Sequence, residues 1–251
     1  MSSQRELDAP RIIVCVGMVG SASTWLFNVV RSIESTVRSE PVRSAYVDTV
    51  TYEMLPDIVH AGASSIVIKS HVPSPSLLAA IYFGRIPALL TIRDPRDATA
   101  SLMTRFGTQF EEAAARVFAS AAALVHLAHI ATPLTLRYED GFFDNWQTVS
   151  HIASFIASPL QDGQARAIAD SLSRDNVRQF VEAKIREGAL STETPSRSFD
   201  GTTHWHPYHV GDGKVGKFAD ILTEAQIAQV DRETRPFRER FYRNGYSDPG
   251  G

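Results

Sequence analysis

Short apolar runs alternate along the chain with longer segments in which apolar residues recur every three or four positions. Runs of this length that are apolar throughout, and bounded by turn-forming residues, are typical of strands buried on both faces. Five such strands are predicted: Arg11 to Gly17, Val42 to Asp48, Ser64 to His71, Ala88 to Arg93 and Leu134 to Tyr138. Strands of this kind belong to parallel sheets covered by helices.

Helical spacing is clearest in Ser23 to Ser32, directly after the first strand. The apolar stretch Ala113 to Leu136 contains Arg116 and Pro133, so it predicts a buried helix leading into a strand, not a membrane span. Further helices are predicted at Phe143 to Ile156, Gln164 to Leu172, Arg174 to Glu187 and Thr223 to Tyr242. The pattern as a whole predicts a single α/β domain, with a central, mostly parallel sheet flanked by helices and an α-rich C-terminal half.

Composition narrows the choice of function. The chain has 251 residues, of which 43% are hydrophobic, and its net charge is −3, which argues against a nucleic-acid partner. Residues 1–10 are expected to be a flexible terminus without the features of a secretory signal, and residues 11–251 one domain. The single Cys15 cannot form an intramolecular disulfide, and a cytoplasmic location is expected. Residues 188–216 lack periodicity and are predicted to be a mobile lid.

The first strand leads into the first helix through a loop of small and hydroxyl residues. Small residues let backbone N–H groups approach an anion, and a helix N-terminus adds positive potential. A nucleoside-triphosphatase loop would need glycine at Ala22 and lysine at Ser23, which disfavours a P-loop kinase but leaves it as an alternative. A ligand-free helix cap is the second alternative. The predicted phosphate-binding residues are Gly20, Ser21, Ala22, Ser23, Thr24 and Trp25.

Polar residues also follow the third and fourth strands. Strand alternation places Lys69 and His71 on the same side of the third strand, where an imidazole can accept a proton and an ammonium can stabilise developing negative charge. After the fourth strand, Arg93 and Ser101 offer a guanidinium and a hydroxyl suited to a phosphate. The intervening Asp94 is expected to cap a helix.

These motifs, in this order, resemble those of the sulfotransferase family that uses 3′-phosphoadenosine 5′-phosphosulfate (PAPS). The segment from Ser21 to Trp25 resembles the family's 5′-phosphosulfate loop, with the tryptophan near the adenine. Arg93 and Ser101 resemble its 3′-phosphate motif, and Lys69 and His71 resemble its catalytic segment, with histidine as the base.

Two later segments extend the resemblance. Tyr138 matches the tyrosine that contacts the adenine, and Gly211, Gly213 and Lys214 match part of a late glycine-rich loop that binds the 3′-phosphate. This sequence departs from the family twice. Gly20 stands where a lysine or arginine is usual, and Asp212 lies in a loop that often reads Arg-Lys-Gly.

The resemblance implies transfer of a sulfuryl group from PAPS to a hydroxyl or amine of an acceptor, a small molecule or a glycan, without a metal ion. A non-catalytic nucleotide-binding protein with a degenerate site remains an alternative, because of Gly20 and Asp212. The sequence does not define the acceptor, the oligomeric state or the cation that replaces the one missing at Gly20.

Overall fold

The computed structural model describes residues 11–38, 42–46, 65–193 and 198–242. Five strands within these ranges form one sheet in the order β2-β3-β1-β4-β5, and every neighbouring pair is parallel. They are β1 Arg11–Gly17, β2 Val42–Tyr46, β3 Ser65–Ser70, β4 Ala88–Ile92 and β5 Leu134–Arg137. The predicted parallel sheet is confirmed. The predicted flexible terminus at residues 1–10 and the ends of two predicted strands, Asp48 and Ser64, lie outside the described residues.

Nine α-helices fall in the described ranges. They are α1 Ser23–Val37, α2 Pro75–Gly84, α3 Pro95–Phe106, α4 Phe110–Ile130, α5 Trp146–Phe155, α6 Asp162–Ser171, α7 Arg174–Arg186, α8 Glu224–Glu233 and α9 Arg235–Phe241. Helix α2 was not predicted. The single helix predicted over Thr223 to Tyr242 is instead two helices, because Pro236, in the first turn of α9, cannot continue the hydrogen bonding of α8.

The sheet divides the core in two, because successive side chains of each strand point to opposite faces. From β1, Ile13 and Cys15 pack with α1 and α5 on one face, and Val14 and Val16 pack with α2 and α4 on the other. Burial raises the pKa of the Cys15 thiol, which acts here as a small apolar side chain.

Helix α4 is long and apolar enough to cross a membrane by length and composition alone. Its buried residues recur at helical spacing, however, as Ala113, Val117, Ala121 and Leu124 contribute to the core beneath the sheet. These contacts are those of a core helix, as the sequence predicted.

Candidate active site

A cavity of about 280 Å³ opens at the carboxyl ends of β1, β3 and β4, where parallel sheets bind ligands. The loop after β1, the polar ends of β3 and β4, and segments 199–206 and 209–213 contribute to its wall. The lining includes the predicted residues Gly20, Ala22, Ser23, Trp25, Lys69, His71, Arg93, Ser101, Tyr138, Gly211 and Gly213. The fold therefore brings most of the sequence-predicted site together.

Ser21 and Thr24 are the exceptions among the residues predicted between Gly20 and Trp25, and Ser21 faces the sheet. Its fully buried hydroxyl lies 2.7 Å from the carbonyl oxygen of Met18 and 2.7 Å from the Thr91 hydroxyl, and it does not line the cavity. A side chain on Gly17 would collide with Thr91 and Ser23, so the loop packs directly on β4. The Ser21 side chain thus braces the loop against β4, and its contact with phosphate stays a prediction.

The backbone of this loop is left-handed at two positions. Gly20 has φ 79°, and Ala22, the N-cap of α1, has φ 62°. The left-handed region costs a residue with a Cβ about 1–2 kcal/mol, so Ala22 is strained where glycine would not be. The turn places the N-terminus of α1 at the cavity, since its first residue, Ser23, contributes to the lining.

Lys69 lines the cavity, and the buried Thr24, which does not line it, holds the Lys69 side chain. Lys69 is buried, and its Nζ donates a 2.6 Å hydrogen bond to Thr24 Oγ1. The same hydroxyl lies 2.7 Å from His209 Nε2, while His209 Nδ1 accepts the backbone N–H of His206. Burial, with His206 and Lys69 nearby, holds the pKa of His209 well below its usual range. A neutral His209 therefore carries its hydrogen on Nε2, which donates a hydrogen bond to the Thr24 hydroxyl.

His71 follows β3 and lines the same cavity. Its Nδ1 lies 2.6 Å from the carbonyl oxygen of Gly17, at the end of β1. Because a carbonyl only accepts, Nδ1 carries the hydrogen, and in the neutral ring the basic lone pair lies on Nε2. The end of one strand thus sets the tautomer of the predicted base on its neighbour.

Arg93 lies at the end of β4 and is buried. Its two Nη groups each donate a 3.0 Å bond, to the carbonyl oxygens of Gly20 and Lys214, and its buried Nε has no partner within the described ranges. The guanidinium lies 4.0 Å from the centre of the Tyr138 ring. Arg93 therefore joins the loop after β1 to the late glycine-rich loop and to the predicted adenine contact.

The late loop is fastened to α3 by Asp97. This fully buried carboxylate accepts the backbone N–H groups of Gly216 at 2.7 Å and Phe218 at 3.0 Å. Asp94 accepts the N–H of Arg96 and caps α3, as predicted. A side chain on Gly213 would collide with Arg174, whose guanidinium bonds the Asp212 carbonyl oxygen.

Lys217, and not the predicted Lys214, is the lysine of the late loop that lines the cavity. The Lys214 side chain is largely exposed, pairs with Asp220 and does not line the cavity. Lys217 is buried, lines the cavity and reaches Asp212 at 3.4 Å. Sequence reasoning missed Lys217 because a loop of several glycines does not show which lysine turns inward.

The charges around the cavity suit a polyanion. Among the described residues, Asp212 is the only carboxylate in the lining, whereas six permanent cations contribute to it: Lys69, Arg93, Arg105, Arg116, Arg174 and Lys217. Arg93 Nε and Trp25 Nε1, which have no hydrogen-bond partner in the part of the chain that the structure describes, also belong to residues of this wall. The donor set fits a nucleotide with phosphates at two positions. The described residues contain no group of three or more metal-binding side chains.

Fold and site together define an α/β domain with a cation-lined cavity at the carboxyl ends of its parallel strands and a histidine in the cavity wall. A family model, the sulfotransferase domain, matches residues 10–243, and the chain belongs to that family. The predicted family and enzyme class, a PAPS-dependent sulfotransferase, are confirmed.

Solved structures support the fold. A mouse sulfotransferase, SULT7A1 complexed with PAP, has a TM-score of 0.66 and 13% identity, covering 93% of this chain and 85% of that chain. Retinol dehydratase with retinol and PAP has a TM-score of 0.59 and 18% identity, covering 92% of this chain and 82% of that one. Retinol dehydratase with androsterone and PAP has a TM-score of 0.58 and 16% identity, covering 91% of this chain and 80% of that one. No curated protein sequence matches this chain.

Proposed function

We propose that this protein transfers a sulfuryl group from PAPS to a hydroxyl or amine of a small acceptor, with His71 as the base. The observation that carries the proposal is the 2.6 Å bond from His71 Nδ1 to the Gly17 carbonyl oxygen, beside a cavity rich in cations. It leaves Nε2 as the nitrogen that takes the acceptor's proton. PAPS supplies the sulfuryl group, whose bond to the 5′-phosphate oxygen breaks as the bond to the acceptor forms, and 3′-phosphoadenosine 5′-phosphate (PAP) departs.

Each part of the nucleotide has candidate partners in the cavity. Arg93 and Ser101, both buried at its wall, would hold the 3′-phosphate. The N-terminal N–H groups of α1 would hold the 5′-phosphate, and Trp25 and Tyr138 would lie against the adenine. Lys217 is our candidate for the charge that the late loop contributes.

Lys69 has the chemical role of stabilising negative charge on the departing phosphate oxygen. Its ammonium is buried beneath the loop that follows β1 and is held by the Thr24 hydroxyl at 2.6 Å. Since Gly20 provides no side-chain cation, this task falls on Lys69 and on the backbone N–H groups of α1. Retinol dehydratase binds retinol or androsterone beside PAP, which agrees with a small-molecule acceptor here.

Segment 198–206 and residues 209–216 close over the cavity and would exclude water during transfer. Asn28 on α1 donates a 2.8 Å hydrogen bond to the Thr203 carbonyl oxygen, and the Thr24 hydroxyl is hydrogen-bonded to His209 Nε2 at 2.7 Å. These contacts support a covering role for part of the predicted lid at 188–216. Its mobility stays a prediction, as does a cytoplasmic location.

Thermal unfolding with PAP, ADP and ATP with magnesium tests the cofactor assignment. PAP at about one hundred times its dissociation constant should stabilise the folded state by about 2.7 kcal/mol, or roughly 5–10 °C for a chain of this size. A rise in Tm confined to the 3′-phosphorylated nucleotide is expected. No rise with PAP would favour the degenerate, non-catalytic alternative, and a larger rise with ATP would favour a kinase.

A further inference from the structure

Arg105 is a cation of the cavity wall that no motif predicted. It lies on α3, one turn beyond Ser101, and its Nε donates a 2.7 Å bond to the Tyr208 carbonyl oxygen. Within the described ranges neither of its Nη groups makes a hydrogen bond or an ion pair. Burial, together with the nearby charge of Arg93, lowers its pKa to about 10, so it stays charged at neutral pH. A partly buried guanidinium with an open fork of donors is suited to a planar anion.

Its neighbours place Arg105 between the residues proposed for the nucleotide, Arg93 and Tyr138, and an aromatic part of the cavity. The guanidinium lies 5.3 Å from the Phe106 ring, and that ring lies 5.2 Å from His206. The pKa of His206 is lowered mainly by burial. The nearby charges of Arg105, Lys69, Arg116 and His71 lower it further, so these groups lie close to His206. Arg105 thus shares one neighbourhood with the proposed base, across aromatic rings that nothing in the nucleotide motifs uses.

The surroundings of Arg105 are cationic without compensation. Arg116, on α4, lines the same cavity and forms no ion pair within the described ranges. The carboxylate of the cavity wall, Asp212, is engaged by Lys217 and by the backbone N–H of Lys214. Where the nucleotide phosphates are held by Arg93 and the N-terminus of α1, a neutral acceptor would leave the Arg105 guanidinium desolvated beside other cations, which is unfavourable. An acceptor that brings its own negative charge removes that cost.

We propose that the acceptor is a hydroxylated ring compound carrying a carboxylate, and that Arg105 binds this carboxylate while His71 faces the hydroxyl. The ring would lie among Phe106, Phe199 and His204, which line the cavity. The proposal rests on the sulfotransferase function proposed above. Arg105 is then the residue that selects acidic over neutral acceptors.

The test compares acids with their methyl esters. With PAPS present, we would measure kcat/KM for 4-hydroxybenzoate, 4-hydroxyphenylacetate and 3-(4-hydroxyphenyl)propionate, each beside its methyl ester. The natural chain should prefer at least one acid over its ester by about tenfold or more, since an ester loses a charge-assisted pair with this guanidinium. Arg105→Met should abolish most of that preference, leaving acid and ester used about equally, and Arg105→Lys should restore part of it.

Two controls separate this inference from the function on which it rests. Arg178→Met removes an exposed arginine that pairs with Asp175 on α7, and should keep the full preference for acids. Arg105→Met should still be stabilised by PAP. Loss of that stabilisation would assign Arg105 to a nucleotide phosphate and overturn the inference, as would equal use of acids and esters or no turnover of any acid. Absence of PAP stabilisation in the natural chain would instead contradict the proposed function.

Discussion

The Nδ1 atom of His71 lies 2.6 Å from the carbonyl oxygen of Gly17, so the last residue of β1 fixes the proton of the proposed base. Gly17 is itself held in place, because any side chain there would strike Thr91 and Ser23. The phosphate loop and the base are thus joined by a backbone group that substitution of a side chain cannot remove. In the proposed reaction, the nitrogen that faces the acceptor is always the basic one.

Replacing the base tests the central assignment. His71→Gln should reduce kcat roughly 10²- to 10⁴-fold, because an amide cannot take the acceptor's proton, and should leave PAP stabilisation nearly unchanged. The measurement is sulfuryl transfer together with thermal unfolding in PAP. His126→Gln, at an exposed position of α4, is the matched control and should behave as the natural chain. Full turnover by His71→Gln would mean that another group is the base.

Lys69→Met should lower kcat about 10²- to 10³-fold, since it removes the cation expected to stabilise the departing oxygen. Because the substitution also removes one of the two donors to the Thr24 hydroxyl, the stability of the folded state can change, and unfolding must be measured beside turnover. Lys69→Arg keeps the charge and should retain more activity than Lys69→Met. Equal activity in the two variants would show that charge at this position is not what matters.

Ala22→Gly should raise the Tm. The change relieves a left-handed alanine at φ 62° and is expected to stabilise the protein by about 1 kcal/mol, or roughly 2–4 °C. Ala115→Gly is the matched control, an exposed alanine inside α4, where glycine should destabilise by a similar amount. Changes of the same sign in the two variants would contradict a strained N-cap.

Stability should fall as the pH drops below the ordinary pKa of histidine. Burial lowers the pKa of His206 to about 3 and that of His204 to about 4, with nearby cations adding to the effect. Below the ordinary pKa of histidine, these two side chains are protonated in the unfolded chain but stay neutral in the folded one. The stability that is present above about pH 6.5 is therefore lost progressively towards pH 4. Unfolding midpoints between pH 7.5 and 5 measure this loss.

The variant His206→Gln should flatten that pH dependence, whereas His126→Gln should leave its slope unchanged. Glutamine cannot be protonated in this range, so one of the groups responsible is removed. A slope for His206→Gln as steep as that of the natural chain would exclude His206 as a source of the acid sensitivity and leave His204 and His209.

Asp97→Asn should loosen the late loop. The amide of the variant would keep one acceptor oxygen for the two N–H groups of Gly216 and Phe218, and the loss should cost about 1–3 kcal/mol of stability. PAP binding should weaken as well, since this loop also meets Arg93 through the Lys214 carbonyl oxygen. Asp175→Asn, which removes an exposed pair with Arg178, should change neither quantity appreciably.

The sequence predicted most of the fold because its buried strands are apolar throughout and their ends carry distinctive residues. Helix α2 escaped prediction although Ser74 caps it and Pro75 begins it, because its apolar residues lack a polar opposite face: Tyr82 and Phe83 are exposed. The break before α9 was signalled by Pro236 and could have been predicted.

Within the site, the sequence indicated which segments meet but not which way every side chain turns. Ser21 faces Thr91, and that contact joins residues far apart in the chain. Lys217 lies inside and Lys214 outside because Asp97 fixes the turn between them. Arg105 could not have been assigned to the cavity from a motif, since its surroundings come from α3, from α4 and from residues 206–211 together.

The order of strands has a consequence for how the chain acquires its structure during synthesis. Central β1 emerges first, but its partners begin only at Ser65 and Ala88. At a rate of synthesis of about 5–20 residues per second, both edges of β1 remain unpaired for several seconds before β3 and β4 have been made. Ile12 to Val16 carries no charge and has high strand propensity, a composition prone to intermolecular pairing. Yield in cells should therefore depend on growth temperature and chaperones more than on the stability of the finished fold.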